Sequence, residues 1–221
     1  LVCACSPCPN NGIFSIMTSS GIPLVSLFKG AVYVSPLPEI RETEIPAVLE
    51  IHTPVFADAR GFFSESYNRD TWAEAGFQEH FVQDNVSLSA RGVLRGLHYQ
   101  LNPYGMGKLV RAITGAVFDV AVDLRRGSST FGHWVGRTLD AETPMWLWIP
   151  VGFAHGFVAL RDDTRVYYKC TGVYHGNAER AIRHDDPDLG IEWPVPVEII
   201  SEKDGAAPFF KDSEHNFIYQ A

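Results

Sequence analysis

A chain of 221 residues, 46% hydrophobic and 20% charged, carries enough apolar material for one large globular domain. Its formal net charge of −8 argues against general nucleic-acid or anionic-membrane binding, so an anionic ligand must be held by a local cluster of Arg and Lys. No apolar run approaches membrane-spanning length, which predicts a soluble, cytoplasmic protein.

The chain starts at Leu1, and its first forty-one residues are punctuated by Ser, Pro and Gly, with few charges and no sustained periodicity. They lack the basic start and clean apolar core of a secretory signal, and read as an N-terminal extension without order. Three of the four cysteines, Cys3, Cys5 and Cys8, crowd into this segment, while Cys170 stands far downstream. That spacing is no disulfide framework for the body of the chain. No nearby fourth ligand completes the cluster as a metal site.

From residue 42 to 221 the pattern is that of one β-domain. Short β-rich runs recur between turn signals, at 48–51, 62–66, 82–88, 93–99, 109–113, 134–139, 146–149, 156–160 and 165–170. The clearest run is 116–124, where Phe118, Val120, Val122 and Leu124 alternate with Val117, Asp119, Ala121 and Asp123. One helix is expected over 69–75. Asn68 is placed to cap it, Thr71 and Glu74 have capping-box spacing, and Gly76 can end it. Many short strands with almost no helix predict an all-β sandwich, jelly roll or small barrel with a pocket at its mouth.

Residues able to do chemistry gather in two segments. The first runs Gln83-Asp84-Asn85, then Leu94-Arg95-Gly96-Leu97-His98-Tyr99-Gln100, then Lys108-Leu109-Val110-Arg111. It sets an imidazole, suited to proton transfer near neutral pH, among guanidinium, ammonium and amide groups. The second, Ile149-Pro150-Val151-Gly152-Phe153-Ala154-His155-Gly156, is a turn that delivers a His at the start of a strand and resembles the second half of the cupin signature. Metal-binding cupins supply two His one residue apart in the first half. Here that place reads His98-Tyr99-Gln100, and one ligand of a His-rich set is missing. Strict alternation would put Arg95 and His98 on opposite faces of one strand, so a bulge near Gly96 is needed if both line one pocket.

Taken in order with Arg60-Gly61-Phe62-Phe63-Ser64-Glu65, Phe118-Asp119-Val120-Ala121-Val122-Asp123, Tyr168-Lys169-Cys170 and Asp186-Pro187-Asp188-Leu189-Gly190, these motifs resemble the dTDP-4-dehydrorhamnose 3,5-epimerase family. The likeness extends from about residue 43 to 210. It implies a cupin-type jelly-roll β-barrel with few short helices. It also implies a cofactor-independent isomerase, with no metal, that converts dTDP-4-dehydro-6-deoxy-D-glucose to dTDP-4-dehydro-L-rhamnose. A C3-only or C5-only epimerase of another deoxysugar pathway would share these motifs. A metal cupin and a non-catalytic sugar-nucleotide binder are the readings from other classes.

By position in the resemblance, His98 matches the base, Tyr168 the acid that returns the proton, Lys108 the cation near the C4 oxygen, and Asp204 the carboxylate that orients the His. Arg60, Glu65, Gln83, Asn85, Arg95, His155 and Glu179 match ligand-contacting positions, and Tyr174 matches an aromatic that stacks on thymine. Met106 departs from the pattern, which has Gln two residues before the lysine in many members. The resemblance further implies a homodimer in which Arg60 and its strand serve the neighbour's pocket.

Overall fold

The computed structural model describes residues 36–220 and, before them, the backbone of two strands. These strands, β1 (Ile13–Met17) and β2 (Pro23–Leu27), pair antiparallel with Ile13 opposite Leu27. They belong to a unit, Leu1–Pro36, separate from the compact unit Leu37–Ala221. The sequence reading expected no element there. The rest of that segment, including Cys3, Cys5 and Cys8, lies outside the described residues.

The second unit opens with β3 (Glu39–Glu42), a little ahead of the expected boundary at residue 42, then β4 (Leu49–His52) and the hairpin of β5 (Phe56–Asp58) and β6 (Gly61–Phe63). Helix α1 (Arg69–Glu74) leads into β7 (Gln83–Ser89), β8 (Leu94–Gln100), β9 (Lys108–Thr114) and β10 (Ala116–Asp123). After these come β11 (Trp134–Asp140), β12 (Met145–Ile149), β13 (Phe153–Ala159), β14 (Thr164–Cys170) and β15 (Glu179–Ala181), and finally the short helix α2 (Glu202–Gly205).

The strands form two antiparallel sheets, ordered β3-β4-β12-β9-β14-β7 and β11-β10-β13-β8-β15. Among the described residues, no hydrogen-bonded ladder joins the sheet edges. The expected cupin-type jelly roll with few short helices is present, built as two antiparallel sheets. Period-two alternation gives each strand an inward row, and the two rows meet. Val117 and Ala121 of β10 and Phe153 and Phe157 of β13 pack with Val110 of β9, Leu147 of β12 and Val166 of β14.

Both outer faces are covered. Over the six-stranded sheet, Trp72 of α1 and Phe77 pack edge-on against Trp146 and Trp148 of β12. Over the five-stranded sheet, Val120 and Val122 of β10 meet Ile182, Leu189 and Phe217 from the C-terminal stretch. The cap of α1 is the expected one, since Asn68 Oδ1 accepts from the Asp70 N–H at 3.0 Å. The capping box is not formed, because Thr71 Oγ1 instead donates to Glu65 Oε1 and to the Asn68 carbonyl. No described helix is long and apolar enough to cross a membrane.

Candidate active site

The site lies between the sheets, where inward rows of polar residues interrupt the apolar core. In the five-stranded sheet, β8, β13 and β10 are neighbours, and His98 stands directly opposite His155. Phe157 pairs with Arg95, so three steps along β8 match two along β13, which is the signature of a β-bulge. The extra residue resets the alternation, so Arg95 and His98 share the inward face. Glycine makes this possible: Gly96 has φ +136°, and a Cβ on it would lie 2.4 Å from the Gly156 Cα. The second expected His is not at a strand start. Strand β13 begins at Phe153, so His155 sits inside it on the inward row.

Asp204, on α2, ties the bulge to His98. Its Oδ1 lies 2.7 Å from His98 Nε2, and its Oδ2 accepts from the Gly96 N–H at 3.3 Å. The Ser201 hydroxyl caps α2 by accepting from the Asp204 N–H at 3.1 Å. Burial works against the Asp204 charge. The His98 contact and the donors from Gly96 and Ser201 outweigh it and hold the carboxyl below the usual range.

A second His–Asp pair sits beside the first. His155 Nε2 lies 2.8 Å from Oδ1 of Asp119, a fully buried acid on the inward row of β10. His155 Nδ1 lies 3.3 Å from Nζ of Lys108, the first residue of β9 on the facing sheet. Burial pushes both His155 and Lys108 down from their ordinary values. Tyr168 of β14 stands opposite Val110 of β9 and Asn85 of β7. Burial, with charge from Cys170 and Glu179, raises its phenol.

These side chains line two adjoining cavities, of about 320 and 680 Å³, that share Asn85, His98, Lys108, His155 and Tyr168. The smaller one continues to Gln83, Met106, Tyr174 and Glu179, and the larger to Arg95, Lys203 and Asp204. Tyr174, 57% exposed at the rim, donates its hydroxyl to Glu179 Oε2 at 2.9 Å. Its N–H bonds Gln83 Oε1 at 3.0 Å, and Gln83 Nε2 donates to Asn85 Oδ1 at 3.1 Å. Arg95 is steadied by Ser89 Oγ and the Leu88 carbonyl.

Ten of the twelve residues singled out from the sequence are thus brought together. Arg60 and Glu65 are not. Arg60 is exposed on the β5–β6 hairpin and pairs with Asp58, while Glu65 bonds Asn68 and Thr71 at the start of α1. Two residues were missed. Lys203, which lines the larger cavity, pairs with Glu179, which lines the smaller. Asp119 had a readable signal, namely an acid in mid-strand flanked on its own row by the apolar Val117 and Ala121. Among the described residues, no three His, Cys, Asp or Glu side chains converge as a metal site. Gln100, where a metal cupin sets its second His, donates instead to the Tyr104 carbonyl and accepts from the His175 N–H.

Residues 42–212 match the family described as dTDP-4-dehydrorhamnose 3,5-epimerase. The chain is 52% identical over 175 residues to a dTDP-4-dehydrorhamnose 3,5-epimerase of Shigella flexneri, covering 79% of this chain and 97% of that one. It is 54% identical over 172 residues to the enzyme of the same name from Pseudomonas aeruginosa, covering 77% and 94%. Among solved structures it resembles the dTDP-6-deoxy-D-glucose-3,5-epimerase of Legionella pneumophila in complex with dTDP-4-keto-L-rhamnose. That match has a TM-score of 0.78 and 44% identity, over 83% of this chain and 100% of that chain.

Proposed function

Because the chain belongs to the dTDP-4-dehydrorhamnose 3,5-epimerase family, an isomerase family acting on dTDP-sugars, we propose that His98 and Tyr168 move protons on and off the carbons beside a C4 ketone. The reaction is the conversion of dTDP-4-dehydro-6-deoxy-D-glucose to dTDP-4-dehydro-L-rhamnose. The ketone acidifies the C–H bonds at C3 and C5, and removing a proton leaves an enolate whose charge rests largely on the C4 oxygen. Returning a proton from the other face inverts the carbon. The chemistry needs a base, an acid across the ring and a cation at that oxygen.

One observation carries the reading. His98 stands on one sheet and Tyr168 on the other, and both line the same cavities, so a ring held between the sheets meets one on each face. With Nε2–H of His98 donating to Asp204, Nδ1 is left bare to take a proton from carbon. Asp204 then offsets the charge of the imidazolium, as in a hydrolytic triad without the nucleophile. Tyr168, its phenol raised by burial, keeps the proton it must give. Lys108 supplies the cation where the enolate charge grows. Arg95 and Lys203 supply positive charge for the diphosphate, and Tyr174 offers a flat face at the rim for thymine.

Turnover in deuterated water tests the assignment. Deuterium entering at both C3 and C5 is expected, whereas label at only one carbon would make this a single-site epimerase. His98→Ala should lower turnover by about 10²- to 10⁴-fold, the range of a general base, with dTDP still bound. Undiminished exchange in that variant would remove His98 from the role.

A further inference from the structure

The two His–Asp pairs are alike in geometry and unlike in surroundings. His98 is partly open to the cavity, with 29% of its side chain exposed, whereas His155 has 6% and its partner Asp119 none. Among the described residues, His98 also has only Asp204 on its ring nitrogens, which leaves Nδ1 for substrate. His155 has both nitrogens engaged, Nε2 by Asp119 Oδ1 at 2.8 Å and Nδ1 by Lys108 Nζ at 3.3 Å. A ring held at both ends is poorly placed to accept a proton from carbon.

Resting on the reading of Lys108 as the cation at the C4 oxygen, we infer that Asp119 is a positioning residue that locks His155 in one tautomer so that His155 orients the Lys108 ammonium. An ionised carboxylate only accepts, so Asp119 requires the hydrogen on Nε2. A neutral imidazole then has a bare Nδ1, and that lone pair accepts from Nζ. Burial, which lowers the His155 pKa, favours the neutral ring this arrangement needs. The contact fixes one Nζ hydrogen on His155 and leaves the others to point into the cavity.

The cost at Asp119 supports this role. Its second oxygen, Oδ2, is buried with no hydrogen-bond partner among the described residues. Its neighbours on the same row, Val117 and Ala121, are apolar and buried. A carboxylate half-satisfied in such a setting costs free energy that an apolar side chain would not. An Asn there fails either way. If its amide nitrogen faces Nε2, the hydrogen moves to Nδ1 and opposes the donors of Lys108. If its oxygen faces Nε2, the amide hydrogens fill the unpartnered Oδ2 position and are left unsatisfied. The negative charge that Asp119 sets near the Lys108 ammonium is lost in both cases.

The experiment reads the tautomer and the rate separately. In the full-length protein with ¹⁵N-labelled histidine, the wild-type His155 should show a protonated Nε2 and a bare Nδ1. In Asp119→Asn kcat should fall about 10- to 100-fold whichever way the amide turns, with the Kd for dTDP changed less than about threefold, and the signature should be lost where the amide nitrogen faces Nε2. The alkaline limb of kcat should also move to lower pH, because a cation has lost a neighbouring anion. The other titratable groups around Lys108, namely His98, Glu179, Tyr168 and Cys170, are unchanged in that variant. A wild-type His155 protonated on Nδ1 overturns the inference even if the variant does not fold, and so does an Asp119→Asn enzyme with wild-type kcat. If His98→Ala keeps its exchange activity, the assignment of His98 as base fails while the tautomer result stands by itself.

Discussion

In the proposed mechanism Lys108 is expected to set the alkaline limit of the site. Burial pushes its ammonium below the ordinary lysine range, and the charges of Cys170, Asp119 and Glu179 only partly oppose the shift. Tyr168 is shifted upward by its own burial. Lys108 must be protonated to stabilise an enolate, and a lowered pKa means the proton is lost at a lower pH than in a free lysine. With the proposed roles, the alkaline fall in kcat/KM is expected to follow Lys108 rather than Tyr168. Lys108→Arg should move that limb to higher pH, since a guanidinium stays charged through the working range, at the cost of a lower maximal rate from its different shape. A pH–rate profile of the two enzymes decides the matter, and an unmoved limb would assign it to another group. The sequence alone could place His98, Tyr168 and Lys108 by motif order but not this division of labour. Burial on facing sheets shifts the groups, and no local pattern records which sheets face.

At the scale of the element, legibility followed strand length. Strand β10 was readable because eight residues of clean alternation exceed what chance supplies. Elements of three or four residues carry little period, and of these only β4 and β6 were met, by the runs at 48–51 and 62–66, while β3, β5, β15 and helix α2 were not. The bulge in β8 was legible as a contradiction: two residues needed in one pocket sat at a spacing that a regular strand forbids. Only the pairing with β13 shows how it is resolved, by Gly96 at positive φ packed against Gly156. Gly96→Ala places a Cβ where Gly156 already stands and forces a strained φ. It should destabilise the fold by about 1–3 kcal/mol, read as a lower midpoint in urea. Turnover should fall further than stability accounts for, because β8 can relieve the clash only by shifting His98 relative to Arg95. An alanine variant with wild-type turnover and midpoint would mean that the close approach yields cheaply and the bulge is not what aims these residues.

Across the whole molecule, the unexplained feature is a charged residue far from the site that the family pattern assigns it to. Arg60 rides on the β5–β6 hairpin, whose strands pair only with each other among the described residues. Phe62 and Phe63 beside it are 63% and 60% exposed. A two-stranded hairpin is marginal alone in water, and adjacent exposed phenylalanines argue for a covering surface. Edge strand β7 offers one, with Val86 and Leu88 exposed on its outward row while Gln83 and Asn85 on the other row line the cavity. We propose that the hairpin docks on β7 of a second copy, bringing Arg60 to that copy's site as the sequence resemblance implies, which would make the protein a homodimer with shared sites. Sedimentation should then show a dimer, and Phe62→Asp should shift it toward monomer. The sharing itself is testable by mixing two defective proteins. An Arg60→Ala subunit retains His98, and a His98→Ala subunit retains Arg60, so a heterodimer reassembles one complete site from the two. After exchange of subunits, activity should rise toward roughly a quarter of the wild-type value, the statistical yield of complete sites. If the mixture is no more active than its components while the dimer still forms, Arg60 serves no neighbouring site, and the hairpin is an interface element only.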